Sequence, residues 1–230
     1  MKTIGLIGGM SWESSAGYYR LVNEGVKRRL GGLHSAKSVL YSVDFHEIER
    51  LQHAGDWDAA GIALADAARS LERAGADFLV LCTNTMHKIA TAIEHAVTIP
   101  LLHIADPTGA AIRSGGYSRV GLLGTRFTME QAFYRERLRE VHGLDVIVPD
   151  DANREAVHRI IYDELCVGTI REASREAYRQ VMRDLVARGA EAIILGCTEI
   201  SLLVGSTDAS VPLFDTTALH AEAAVDAALA

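Results

Sequence analysis

The chain repeats itself, and no other feature constrains its fold as strongly. Ile4-Gly5-Leu6-Ile7-Gly8 resembles Val120-Gly121-Leu122-Leu123-Gly124 at an offset of 116. Gly75-Ala76-Asp77-Phe78-Leu79-Val80-Leu81 resembles Gly189-Ala190-Glu191-Ala192-Ile193-Ile194-Leu195 at an offset of 114. Ile99-Pro100-Leu101 then matches Val211-Pro212-Leu213 at 112. Three matches in the same order, with small drift, describe two homologous halves of about 110 residues each.

Each half alternates short apolar runs with amphipathic stretches. Residues 39–43, 78–81 and 192–195 are strand-length and bounded by Gly, Ser or Asp, whereas 14–30, 58–74, 129–141 and 171–188 carry helical spacing. Repeated strand–helix units predict parallel sheets covered by helices. The expectation is an α/β fold of two pseudo-symmetric, doubly wound parallel-sheet domains with the active site in the cleft between them. The division expected is 1–98 plus 210–230 for the first domain and 99–209 for the second. The last helix, near 216–229, has no strand after it and is expected to pack back on the first half.

Composition narrows the function classes. A formal net charge of -7 argues against a nucleic-acid or anionic-membrane surface. No apolar run approaches the roughly 20 residues that span a bilayer. Three cysteines without CxxC pairing or zinc-like spacing fit a reduced, cytoplasmic protein without a disulfide framework. The segment ahead of Ile4 is too short for a signal-peptide apolar core. The expected partner is a small molecule, with neither nucleic acid nor membrane, and a homodimer is left open.

In doubly wound sheets, ligands bind outside the carboxyl ends of the strands. Two polar clusters stand at matching strand ends: Cys82-Thr83-Asn84-Thr85-Met86-His87 and Gly196-Cys197-Thr198-Glu199. The offset of 114 sets Thr83 opposite Cys197 and leaves Cys82 one residue early, where strand alternation points it away from the site. A cysteine at a strand end just ahead of a helix meets backbone N–H groups and a positive dipole end, which favours thiolate. The same N–H groups suit a carboxylate. A base on one face of a Cα and an acid on the other is what racemisation needs. The alternatives are plain: a free cysteine is often a small buried hydrophobe, and Asn84, Thr85 and Thr198 are residue types that cap helices.

These residues carry a resemblance. Cys197-Thr198-Glu199 after Ala192-Ile193-Ile194-Leu195-Gly196, the 82–87 cluster, and Ile7-Gly8-Gly9-Met10-Ser11-Trp12-Glu13 together are similar to the aspartate/glutamate racemase family over nearly the whole chain. The resemblance implies α-proton removal and return by two cysteines flanking an amino acid, with no pyridoxal phosphate, no metal and no other cofactor. Cys197 matches the second cysteine, but the position of the first holds Thr83. That implies catalysis by Cys197 and Thr83, as in a subgroup acting on L-aspartate or L-glutamate. A threonine hydroxyl is too weak an acid to serve as an alkoxide base, so the enzyme would be one-sided.

The resemblance places further residues about the substrate. Asn84, Thr85 and Thr198 suit the α-carboxylate, and Glu199 the ammonium. Met10 lies in the turn after the first strand, and Thr125, following Val120–Gly124, occupies the repeat-equivalent of that turn. Gln52 and Glu164 stand where acid-specific members use basic side chains. Neither is basic, so a broader polar amino-acid range is open, with Arg50, His53 or Arg126 able to compensate. His87 and His103 are expected to be structural rather than metal ligands. Two rivals remain: a one-cysteine decarboxylase or isomerase of the same superfamily, and a non-catalytic amino-acid-binding protein.

Overall fold

A computed structural model describes residues 1–230, which divide into two compact units, Met1–Ile104 with His220–Ala230, and Ala105–Leu219. The first unit runs β1 (Ile4–Gly8), α1 (Trp12–Leu30), β2 (Ser38–Ser42), α2 (Phe45–Ala54), α3 (Trp57–Arg73), β3 (Phe78–Leu81), α4 (Ala90–Glu94) and β4 (Leu101–Leu102). The second runs α5 (Ala105–Ser114), β5 (Arg119–Gly124), α6 (Arg126–Glu130), α7 (Ala132–His142), β6 (Asp145–Ile147), α8 (Asp151–Asp163), α9 (Glu172–Ala187), β7 (Ala192–Gly196), α10 (Ile200–Leu203) and β8 (Leu213–Asp215). The last helix, α11 (Thr216–Leu229), starts in the second unit and ends in the first.

The sheets are topological copies. Their strand orders are β2-β1-β3-β4 and β6-β5-β7-β8, with every pair parallel. The expected α/β fold of two parallel-sheet repeats is therefore the observed one. The unit boundaries lie at 104/105 and 219/220, instead of the 98/99 and 209/210 read from the sequence. Strand pairing is the reason: Leu101–Leu102 pairs with β3, and Leu213–Asp215 pairs with β7. The helix expected over 129–141 is divided, because Gln131 takes extended dihedrals between α6 and α7.

Alternation along the first unit's strands builds two cores. Ile4, Leu6, Phe78, Val80 and Cys82 face α1 and the end of α11, where Tyr18, Val22, Ala221, Ala224 and Val225 bury against them. Ile7, Leu79 and Leu81 face α3 with Leu64, Ala68 and Leu71. Each fully buried Leu, Ile, Val or Phe among them contributes about 1.5–3 kcal/mol relative to exposure. In the second unit Leu123, Ile193 and Leu195 pack under α8 and α9 with Val157, Ile161, Tyr178 and Leu185. Both faces of each central strand are thus covered, which explains their unbroken apolar runs.

His220 pins α11 to the first unit. Its Nδ1 lies 2.9 Å from the Tyr18 hydroxyl and its Nε2 2.8 Å from the Leu102 carbonyl. The carbonyl can only accept, so Nε2 carries the hydrogen and Nδ1 accepts from Tyr18.

Candidate active site

The order β2-β1-β3-β4 reverses direction between β1 and β3, and its copy does so between β5 and β7. Such switch points are where doubly wound sheets open to ligands. At the first stand Gly8-Gly9-Met10 and Cys82-Thr83-Asn84; at the second stand Gly124-Thr125 and Gly196-Cys197-Thr198.

Glycine allows the close approach of β5 and β7. Gly124 pairs with Gly196, and a Cβ on Gly124 would lie 2.9 Å from the Gly196 carbonyl oxygen. Thr125 and Cys197 therefore leave adjacent strands at the same level. Thr125 caps α6, accepting from the Thr128 N–H at 3.4 Å, so its capping role is observed.

Cys197 is half-buried and Glu199 is buried. The Cys197 thiol donates to Glu199 Oε2 at 2.9 Å, and the Thr198 hydroxyl donates to the same oxygen at 2.6 Å. Cys166, from the 3₁₀ turn Leu165–Val167, and Tyr178 of α9 pack in the same cluster. Burial pushes the Cys197 thiol well above its usual range, and the adjacent Glu199 charge pushes it further. Tyr178 is raised likewise, by burial first and then by Cys197, Cys166, Glu199 and Glu164.

The sequence pattern suggested a thiolate-favouring helix start, and the structure corrects it. The helix after Cys197 is one turn of four residues, too short for a strong dipole, and the nearest charge is negative. Burial and the neighbouring carboxylate both disfavour the Cys197 thiolate.

Glu164 ends α8. Ser174 of α9 donates to its Oε2 at 2.5 Å, and Arg171 lies 3.7 Å from Oε1. Its side chain is 15% exposed, which leaves it a largely enclosed carboxylate. Arg171 is thus the cation beside Glu164; of the other basic groups considered, Arg126 pairs with Glu155, His53 lies 2.7 Å from the Glu49 carboxylate, and Arg50 is exposed.

In the first unit the Gly9 N–H donates to the Ser15 hydroxyl at 2.7 Å, and that hydroxyl donates to the Ser11 carbonyl at 2.9 Å. Gly9 has φ of 98°, and a Cβ there would collide with the Val43 backbone. Met10 and Gln52 are buried, and Gln52 Nε2 lies 2.8 Å from Met86 Sδ. Thr83 is half-buried, with Asn84 and Thr85 buried beside it at the start of the 3₁₀ turn Thr85–Ile89. Asn84 opens that turn without capping it through its side chain. Cys82, by contrast, is sealed in the core against α1 and α11, and burial pushes its thiol far up.

Several supporting residues escaped the sequence reading. Ser15 closes the Gly9 turn, and its signal was the Ser11-x-x-Ser14-Ser15 cluster at a helix start. Ser174 and Tyr178 share one face of α9 at i and i+4, a spacing that also describes ordinary core. Asp215 pairs in register with Leu195 and caps α11 through the Thr217 N–H at 2.9 Å; burial raises its carboxyl.

Two parallel-sheet repeats, with a thiol–carboxylate cluster and a hydroxyl cluster at equivalent switch points, describe a duplicated α/β protein with polar groups gathered at its strand ends. The chain belongs to the Asp/Glu/hydantoin racemase family, whose model matches residues 7–224. Among solved structures it is similar to a candidate Asp/Glu racemase from Yersinia pestis, at 63% identity and a TM-score of 0.94 with both chains fully covered. It is also similar to an aspartate racemase homologue from Pyrococcus horikoshii OT3, at 34% identity and a TM-score of 0.85, again over the whole of both chains. The broad specificity amino-acid racemase RacX of Bacillus subtilis is 29% identical over 179 residues, 76% of this chain and 75% of that protein. The reaction class is accordingly that of an isomerase. No helix is long and apolar enough to cross a membrane.

Proposed function

We propose that the chain is an amino-acid racemase working without pyridoxal phosphate or metal, with Cys197 as the group that takes the α-proton. The observation that carries this reading is the placement of the three cysteines. Cys82 is sealed in a core and Cys166 sits half-buried in a 3₁₀ turn, while Cys197 stands at the switch point with Glu199 as an ionisable partner.

Removal of the α-proton by sulfur leaves an electron pair that the α-carboxylate accepts. Asn84, Thr85 and Thr198 supply N–H, amide and hydroxyl groups suited to that carboxylate, and Glu199 suits the ammonium. Thr83, the repeat counterpart of Cys197, returns or relays a proton on the second face and does not abstract one. Lys88, the lysine nearest Thr83 in sequence, lies over the Trp57 ring at 3.9 Å, an arrangement that favours a cation–π contact over a Schiff base.

Substrates with neutral or cationic polar side chains suit the site better than aspartate or glutamate. Glu164 and Gln52 offer no positive charge to a distal carboxylate, and an enclosed Glu164 would repel one. Three cysteines without CxxC spacing support a reducing, cytoplasmic setting. The test is a panel of L- and D-amino acids incubated in heavy water and followed by proton NMR, with a chelator and a carbonyl reagent in parallel. Solvent deuterium appearing at Cα, unaffected by either reagent, is the expected result. A protein that binds an amino acid without exchange would instead be a binding module.

A further inference from the structure

The Cys197–Glu199 contact does more than hold a side chain. Glu199 is buried, and its Oε2 receives both the thiol of Cys197 at 2.9 Å and the hydroxyl of Thr198 at 2.6 Å. A thiol beside a carboxylate is the wrong state for a base, since the negative neighbour disfavours thiolate. An α-amino acid brings an ammonium, the one charge whose natural seat is that carboxylate. We infer that Glu199 couples the proton of Cys197 to the substrate's ammonium, holding the thiol protonated while the site is empty and releasing it when the ammonium takes the carboxylate's charge. The inference rests on the reading of Cys197 as the proton-transfer group.

The steps balance. Ammonium binding pairs Glu199; the Cys197 S–H bond breaks, its electron pair stays on sulfur, and the proton passes to water. The thiolate then takes the proton from Cα, whose bonding pair moves toward the α-carboxylate. A proton returns to Cα and restores the amino acid, and water resupplies the group that gave it. No oxidant or other co-reactant enters. The titratable groups gathered about the thiol are Glu199, Cys166 of the 3₁₀ turn and Tyr178 of α9, with Glu164 beyond Tyr178 and facing Arg171. Glu199 and Cys166 both raise the thiol, and the substrate's ammonium brings the opposing positive charge.

This device makes amino acids distinguishable from their deamino analogues at the sulfur itself. Glu199 holds the ammonium and, through its contact with the thiol, governs the proton of Cys197. Its removal should make the empty site more reactive, a direction that a merely structural role would not produce.

The experiment compares iodoacetamide labelling of Cys197, read by peptide mass, in the wild type, Glu199→Gln and Glu199→Asp at neutral pH. Glu199→Gln should label at least about tenfold faster, because a one-unit fall in a thiol pKa gives about tenfold more thiolate below that pKa. Glu199→Asp, which keeps the charge, should label within about threefold of the wild-type rate. In steady-state turnover Glu199→Gln should raise KM about tenfold or more with a smaller change in kcat, because the ammonium loses its counter-charge. Equal or slower labelling of Glu199→Gln, in a protein whose circular dichroism and melting match the wild type, would overturn the inference. Should Glu199→Gln not fold, labelling of Glu199→Asp as fast as free cysteine would overturn it equally. Labelling needs no turnover, so a Cys197→Ala variant that still racemises would defeat the catalytic reading alone.

Discussion

His87 Nδ1 lies 2.8 Å from the carbonyl oxygen of Thr83, four residues earlier, and its Nε2 lies 3.1 Å from the Ile104 N–H. A carbonyl can only accept and an amide N–H can only donate, so Nδ1 carries the hydrogen and Nε2 presents its lone pair. Both ring nitrogens are occupied, and the ring packs tilted by 59° against His103, itself buried, with centroids 4.4 Å apart. His87 is thereby a strut between the Thr83 turn and the chain leaving β4. His87→Ala would remove the partner of a part-buried carbonyl and of a buried N–H and should cost about 2–4 kcal/mol in denaturant unfolding. Exchange activity should fall as well, since the Thr83 backbone loses its tether. An unchanged unfolding midpoint would refute the strut.

The three cysteines should separate cleanly. Cys197→Ala is expected to abolish α-proton exchange while leaving the melting temperature close to that of the wild type. Cys82→Ala should keep most activity and lose about 1 kcal/mol of stability, because it removes a fully buried sulfur from the core against α1. Cys166→Ala should keep activity. Exchange surviving in Cys197→Ala would sink the mechanism.

Stability should fall on the alkaline side. Burial raises Cys82, Cys197, Tyr134 and Tyr178 in the folded state. A group with a raised folded value is fully accommodated below its unfolded value, and the contribution is lost as pH climbs beyond it. Unfolded cysteine ionises near pH 8.5 and tyrosine near pH 10. Unfolding free energy should therefore hold up to about pH 8 and then decline through pH 10. Cys82→Ala should show a shallower decline above about pH 8.5 than the wild type. Parallel curves would mean that Cys82 does not titrate differently on unfolding.

Glu164 should set a barrier against acidic substrates. Glu164→Lys reverses the enclosed charge and is expected to raise kcat/KM for L-aspartate and L-glutamate about tenfold or more relative to an uncharged polar amino acid, each tenfold being worth about 1.4 kcal/mol. An unaltered ratio would place Glu164 away from the substrate side chain.

Handedness should follow from the Thr83–Cys197 pair. Cysteine can be brought to thiolate near neutral pH, and a threonine hydroxyl cannot. The enantiomer whose Cα–H meets Cys197, which we propose is L, should convert faster at saturation. Equal kcat/KM in the two directions is required for a true racemate, so the asymmetry appears in kcat and KM separately. Thr83→Cys should narrow it. Equal saturated exchange rates for both enantiomers in the wild type would show that a second base is already present.

Much of this was written locally in the chain. The offsets near 114 carry the duplicated sheet, because each repeat must place the same apolar strand against the same neighbours. Period-two alternation separates Cys82, which follows Phe78 and Val80 into the core, from Thr83 just past the strand end. Even the return of α11 to the first unit was legible from a helix with no strand to follow. The ionisation of Cys197 was not. Its neighbour Glu199 is two residues away, but the burial that makes that neighbour decisive comes from Tyr178 and Cys166, which lie far off in the sequence. The engagement of Glu164 by Ser174, and of Arg126 by Glu155, likewise depends on helices meeting through the fold. Backbone periodicity is a property of short segments. Desolvation and charge pairing are properties of what surrounds an atom, and only the tertiary structure sets those surroundings.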